Sequence, residues 1–108
     1  MSSLELFWKG LSDWSQDCFG LDKDRGPQGP INHLMKECGE VLENPTDLEE
    51  YADLLFLVFD ATRRAGFTYD GLVKAAFDKL AKNKSREWNK PTSDGVIEHV
   101  RTEKENKE

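Results

Sequence analysis

Residues 36–53 read KECGEVLENPTDLEEYAD, and this stretch decides the fold. It carries two carboxylate pairs at three-residue spacing, Glu37 with Glu40 and Glu50 with Asp53, separated by the break Asn44-Pro45-Thr46. Residues three apart on a helix share a face, with Cβ atoms roughly 5–6 Å apart. Pro45 disfavours helix at the residue before it, so one helix ends by Asn44. Thr46 with Glu49 three residues on reads as a capping box that opens the next helix. Two helices folded back on each other at this break aim four carboxylates at one point.

Outward from the break, helical periodicity continues in both directions. The preceding helix starts near Pro30, a good first-turn residue, with the apolar stripe Ile31, Leu34, Met35, Cys38, Val41 and Leu42. The following helix runs to about Gly66 and contains LLFLVF (54–59), which is apolar all round. Such a run belongs at a bundle centre or across a subunit interface. An N-terminal helix spans residues 3–19, weakened at Gly10 and stopped at Gly20. Residues 20–30, GLDKDRGPQGP, read as loop. Thr68 caps a fourth helix that runs to about Trp88, with Leu72, Val73, Ala76, Phe77, Leu80, Ala81 and Trp88 facing inward. The expected fold is all-α: four helices with short connections and antiparallel neighbours, completed by oligomerisation. Residues 1–90 form the domain and 91–108 a tail, with TEKENKE at the end disordered.

At 108 residues and net charge −6, the chain is one acidic domain, unsuited to polymeric nucleic acid or an anionic membrane. It shows no secretory signal pattern, and its longest apolar run is too short to span a bilayer. Cys18 and Cys38 read as reduced structural thiols, and the expected setting is the cytoplasm.

Helices often carry solvated acidic faces, and Glu49 and Glu50 near a helix start also suit its dipole. Glu37, Glu40 and Asp53, however, border apolar stripes. A cluster of oxygen ligands suits Mg2+, with Mn2+ as a substitute. The one helical histidine, His33, does not make the paired Glu-x-x-His of a di-iron bundle. Mg2+ sites leave positions for water and substrate phosphate. Lys79, Lys82, Asn83 and Arg86 fall within about a 100° arc on the fourth helix, where they either hold a polyphosphate or simply complement the helix C-terminus. Phe7, Trp8, Trp14 and Phe19 are core residues or, alternatively, platforms for a base. Asn32 and His33 sit where they can meet a base edge. No phosphate-binding glycine loop is present.

The stretch HLMKECGEVLENPTDLEEYADLLFLVFDATRRAG (33–66), then KLAKNKSREW (79–88) and DGVIEHVR (94–101), resembles the MazG-like nucleoside triphosphate pyrophosphohydrolases. It is most similar to the phage-associated dATP/dGTP diphosphohydrolases of MazZ type. The resemblance covers roughly residues 14–101. It implies hydrolysis of a nucleoside triphosphate to monophosphate and pyrophosphate with Mg2+ or Mn2+, inside the host cell if the chain is phage-encoded. It implies Glu37, Glu40, Glu50 and Asp53 as metal ligands and Lys79, Lys82, Asn83 and Arg86 as phosphate contacts. One of the four carboxylates, with Glu40 the candidate, would serve as general base as well as ligand. A homodimer or homotetramer is also implied. Two positions depart from the broader family: Lys36 stands where a second acid often precedes the first motif glutamate, and only nine residues (41–49) separate the motifs. A house-cleaning pyrophosphatase of other base preference, or an acidic helical module mimicking DNA, are the alternative readings.

Overall fold

The structure is a computed structural model, and it describes residues 1–89 and 91–100. Four α-helices account for most of it: α1 (Ser3–Phe19), α2 (Gln28–Glu43), α3 (Leu48–Arg64) and α4 (Tyr69–Lys84), with a short 3-10 turn at Asp22–Asp24. Among the described residues there is no strand, only an isolated bridge between Trp88 and His99. The expected disordered end, residues 102–108, lies outside the described residues. The chain divides into two compact units, residues 1–72 and 73–108.

In the first unit, α3 is the central helix, packed against both α2 and α1. The Ser2 side chain caps α1 by accepting from the Glu5 amide at 3.1 Å. α1 runs unbroken through Gly10, and Gly20 ends it as expected, with φ 101°, a backbone open to glycine. The glycine- and proline-rich segment is less irregular than it reads. Asp22–Asp24 make one turn, and α2 already begins at Gln28. Pro30 then sits in the first turn, where its missing N–H costs nothing.

The cap of α3 is Asp47, not Thr46. The Asp47 carboxylate accepts the Glu49 amide at 3.0 Å, and a capping aspartate competes well with threonine for this role. The turn between α2 and α3 is closed by the Asn44 amide donating to the Glu40 carbonyl at 3.0 Å. Tyr51 also donates its hydroxyl to the Pro45 carbonyl at 2.7 Å.

The apolar core is small: Trp8, Leu11 and Phe59 are buried, with Phe56, Tyr69 and Leu72 against them. Trp8 meets Phe59 at 5.1 Å and Tyr69 at 5.9 Å between ring centroids. The run 54–59 is not buried on every side in the single chain. Leu57 and Phe59 are buried, whereas Leu55 and Val58 stay exposed on the other side of α3. Ile31, Met35 and Leu42 of the α2 stripe are exposed as well. Cys18 and Cys38 are free but exposed, so they are not core residues.

In the second unit, α4 ends at Lys84, four residues short of Trp88. The Trp88 indole N–H instead donates to the Asn83 carbonyl at 2.9 Å, an ungrouped acceptor of the last turn. Beyond it the chain folds back on itself. The Asn89 amide donates to the Glu98 carbonyl at 2.9 Å and the Val100 amide to the Glu87 carbonyl at 2.7 Å. Gly95, at φ 83°, forms the reversal.

Candidate active site

The break at 44–47 does what the spacing requires. Glu37 and Glu40 stand one turn apart near the end of α2, and Glu50 stands in the first turn of α3. One carboxylate oxygen from each of the three lies within 4.8 Å of the others. Asp53 falls outside this triple; it lines the adjoining cavity beside Glu37. Glu37 Oε2 and Glu50 Oε2 are both buried without a hydrogen-bond partner. Buried oxygens of this kind are costly unless something fills the gap between them.

The electrostatics carry the same message. The Glu40 carboxyl is held above the ordinary glutamate value, first by Glu37, close enough to share a proton with it, then by partial burial and the charges of Glu50 and Asp53. The Glu50 carboxyl is raised by burial, then by the charges of Asp47, Asp53, Glu37 and Glu49. His33 Nε2 stands 3.0 Å from Glu37 Oε1, where an Nε2–H donates to the carboxylate and fixes its orientation. The donor set fits a hard divalent cation: all ligands are carboxylate oxygens, converging, partly desolvated and short of partners.

A cavity of about 420 Å3 opens beside this cluster. It is bounded by α2 and α3, with Glu37 and Asp53 among its acids and Trp14, Phe19 and Phe56 as aromatic walls. Trp14 packs edge-on against Phe19 at 5.4 Å and against Phe56 at 5.6 Å. Trp14 and His33 both line the cavity. Asn32 does not; it is exposed on another face of α2.

The basic group on α4 belongs to the second unit. Lys79 and Lys82 are exposed there, and Asn83 and Arg86 are half-buried. Arg86 lies past the end of the helix, so the helical arc holds only Lys79, Lys82 and Asn83. Arg86 nevertheless stays beside them: its Nη1 donates to Asn83 Oδ1 at 3.3 Å.

One set of polar residues escaped the sequence reading. Asp60, Arg63 and Arg64 are all buried at the C-terminal end of α3. Arg63 donates to Asp60 at 2.5 Å and, by two nitrogens, to Asp22 at 2.6 and 3.2 Å. Arg64 Nη2 donates to Ser15 Oγ at 3.0 Å and lies 3.0 Å from Asp60 Oδ2. Asp60, Arg64 and Arg25 all line the cavity. The available signal was an acid with two arginines at three- and four-residue spacing directly after an apolar run.

Among the described residues the fold is all-helical, and its converging carboxylates make the donor set of a divalent-cation site beside an aromatic-walled cavity. The chain belongs to the dATP/dGTP pyrophosphohydrolase family, whose model matches residues 7–106. It is 33% identical over 82 residues to the dATP/dGTP diphosphohydrolase of cyanophage S-2L, covering 74% of each chain. It is 38% identical over 94 residues to the Eaa protein of Salmonella phage P22, covering 87% of this chain but only 29% of that protein. The fold matches the solved structure of the cyanophage S-2L MazG-like pyrophosphohydrolase bound to dGDP and three catalytic Mn2+ ions per active site. That match has a TM-score of 0.73 at 27% identity and covers 94% of this chain and 100% of the other. Among the described residues, no helix is long and apolar enough to cross a membrane.

Proposed function

We propose that this chain hydrolyses dATP and dGTP to the monophosphate and pyrophosphate, with Mg2+ as its metal and Mn2+ as a substitute. The observation that carries the reading is the triple of Glu37, Glu40 and Glu50 oxygens, two of the residues holding a buried oxygen without a partner. Family membership supports it, as does the dGDP and Mn2+ bound by the cyanophage protein of the same fold. Glu37, Glu40, Glu50 and Asp53 hold the metal. When bound, a divalent cation lowers the pKa of water and offsets phosphate charge.

The protein's own groups do the rest. Glu40, beside the other carboxylates of the cluster, is the group that takes a proton from the attacking water. Water attacks the α-phosphorus in line, the α–β bridging P–O bond breaks, and pyrophosphate leaves. Lys79, Lys82, Asn83 and Arg86 bind the phosphates and offset charge on the leaving group. His33 orients Glu37, and Trp14 stacks on the base. The working form is a homodimer or homotetramer in the cytoplasm of a host cell, which covers the exposed Leu55 and Val58 of α3. Light scattering on the purified chain reads that state directly.

The test is chromatography of reaction mixtures containing dGTP or dATP with Mg2+, Mn2+ or EDTA, for wild type and Glu50→Gln. The reading expects monophosphate and pyrophosphate with either metal, none with EDTA, and a loss of at least a hundredfold in the variant. Turnover that survives EDTA, or a fully active Glu50→Gln, would remove the carboxylate cluster from the chemistry.

A further inference from the structure

A groove of about 490 Å3 opens at the C-terminal end of α3, with residues 22–26 on one side and residues 63–66 on the other. It lies far from the carboxylate cluster. Glu50, in the first turn of α3, is thirteen residues from Arg63, about 20 Å along the axis. None of Glu37, Glu40, Glu50 and Asp53 lines the groove. Arg25 and Arg64 stand between the groove and the cavity beside the cluster and line both, whereas Arg63 lines the groove alone.

The groove holds donors that the fold does not use. Arg63 gives Nε and Nη2 to Asp22 and Nη2 also to Asp60, but its Nη1 is buried without a partner. Its side chain is only 8% exposed. Arg25 Nη1 and Arg64 Nε are buried and unpartnered in the same way. A buried donor without an acceptor is costly, and more so on a charged group. Gly26, Ala65 and Gly66 keep long side chains out of the walls.

The charge balance favours an anion. Lys23, Arg25, Arg63 and Arg64 face Asp22 and Asp24 here, and Asp60 pairs with two of them. One positive charge is left over in a chain of net charge −6. Among the described residues, neither Lys23 nor Arg25 makes an ion pair. The surplus is felt inside the network. Burial lowers the proton affinity of Arg64, Asp60 opposes that fall, and the charges of Arg25 and Arg63 add to it. The C-terminus of α3 sets against the surplus a dipole of only about half a charge.

We propose that this groove binds a phosphate-class oxoanion, held by Arg63, Arg25 and Lys23. A carboxylate offers two coplanar oxygens, which a single guanidinium fork satisfies. The spare N–H groups here belong to three guanidiniums on two segments, and a tetrahedral oxoanion has oxygens enough to meet them from several directions. None of the residues assigned to metal, water or phosphate in hydrolysis takes part, so the site stands whether or not the chain cleaves nucleotides.

The experiment titrates inorganic phosphate, and separately pyrophosphate, into the metal-free full chain at constant ionic strength. Calorimetry gives the affinity, and amide NMR shifts give the place. Wild type is expected to bind one anion, with shifts in residues 22–26 and 63–66. Lys23→Glu, at an exposed position of the 3-10 turn, should weaken binding at least fivefold, and Arg25→Gln at least threefold. Lys82→Ala on α4 should change it less than twofold. Tighter binding of pyrophosphate than of phosphate marks the diphosphate as the ligand, and equal binding marks a single phosphate group. Absence of saturable binding of either anion overturns the proposal. So does a loss in Lys82→Ala with Lys23→Glu unaffected, or shifts confined to α4.

Discussion

Asp60→Asn is the substitution that bears most heavily on this fold. Asp60 is 4% exposed and is the carboxylate shared by Arg63, at 2.5 Å, and Arg64, at 3.0 Å. Those two side chains are themselves 8% and 3% exposed. An amide of the same shape leaves both guanidiniums in place but removes the charge between them. Arg63 then keeps Asp22, while Arg64 keeps only the Ser15 hydroxyl. Removing one partner of a buried ion pair costs about 3–5 kcal/mol. A domain of this size has a total stability of roughly 5–16 kcal/mol, so at the lower end of that range the loss is more than half. At about 4 °C per kcal/mol, the melting temperature falls by roughly 12–20 °C. Urea unfolding followed by far-UV circular dichroism measures the change. Asp22→Asn should cost less, because Asp22 is 22% exposed at its side chain and serves Arg63 alone. Adding Arg64→Met to Asp60→Asn should recover part of the loss, since it removes the stranded charge. A loss for Asp60→Asn below about 1 kcal/mol, the worth of an exposed pair, would refute the reasoning.

Other outcomes follow from the carboxylate cluster and the backbone. Glu50→Gln should raise the melting temperature of the metal-free chain at neutral pH while abolishing turnover, because the same repulsion that strains the cluster attracts the metal; calorimetry and a kinetic assay read the two signs. Glu40 and Glu50 have folded-state pKa values above the ordinary one, so folding takes up protons at these sites. The metal-free chain should therefore lose their contribution as pH rises from the usual glutamate range through the raised values, an effect absent from the Glu40→Gln/Glu50→Gln double variant in melting curves. By the same linkage Mn2+ must displace those protons, so its apparent affinity should rise with pH by up to about tenfold per unit for each proton released, measured by calorimetric titration. Gly20→Ala, at φ 101°, should cost about 1–3 kcal/mol in unfolding experiments.

The legible part of this protein was the part governed by local geometry. Pro45 and the three-residue carboxylate spacing are enough to place Glu37, Glu40 and Glu50 together, because a four-residue break leaves the chain little choice. Where two local signals compete, the reading slips. Thr46 and Asp47 are both good caps, and only the turn geometry selects the aspartate. Trp88 sits at helical spacing from Leu80 and Ala81, yet its indole is used to close the end of α4. The buried Asp22–Asp60–Arg63–Arg64 network was illegible for a different reason. Asp22 is 41 residues from Arg63, and no periodicity links a loop acid to a distant helix end. Arg25 was hidden in the same way, in a segment that reads as featureless loop but returns to the cavity wall.

The most direct test is hydrolysis of dGTP with Mn2+ in 18O-labelled water, followed by mass analysis of both products. Metal-dependent attack at the α-phosphorus predicts one label in dGMP and none in pyrophosphate, and no reaction in Glu40→Gln. Label in pyrophosphate, release of dGDP and phosphate, or undiminished turnover by Glu40→Gln would contradict the account.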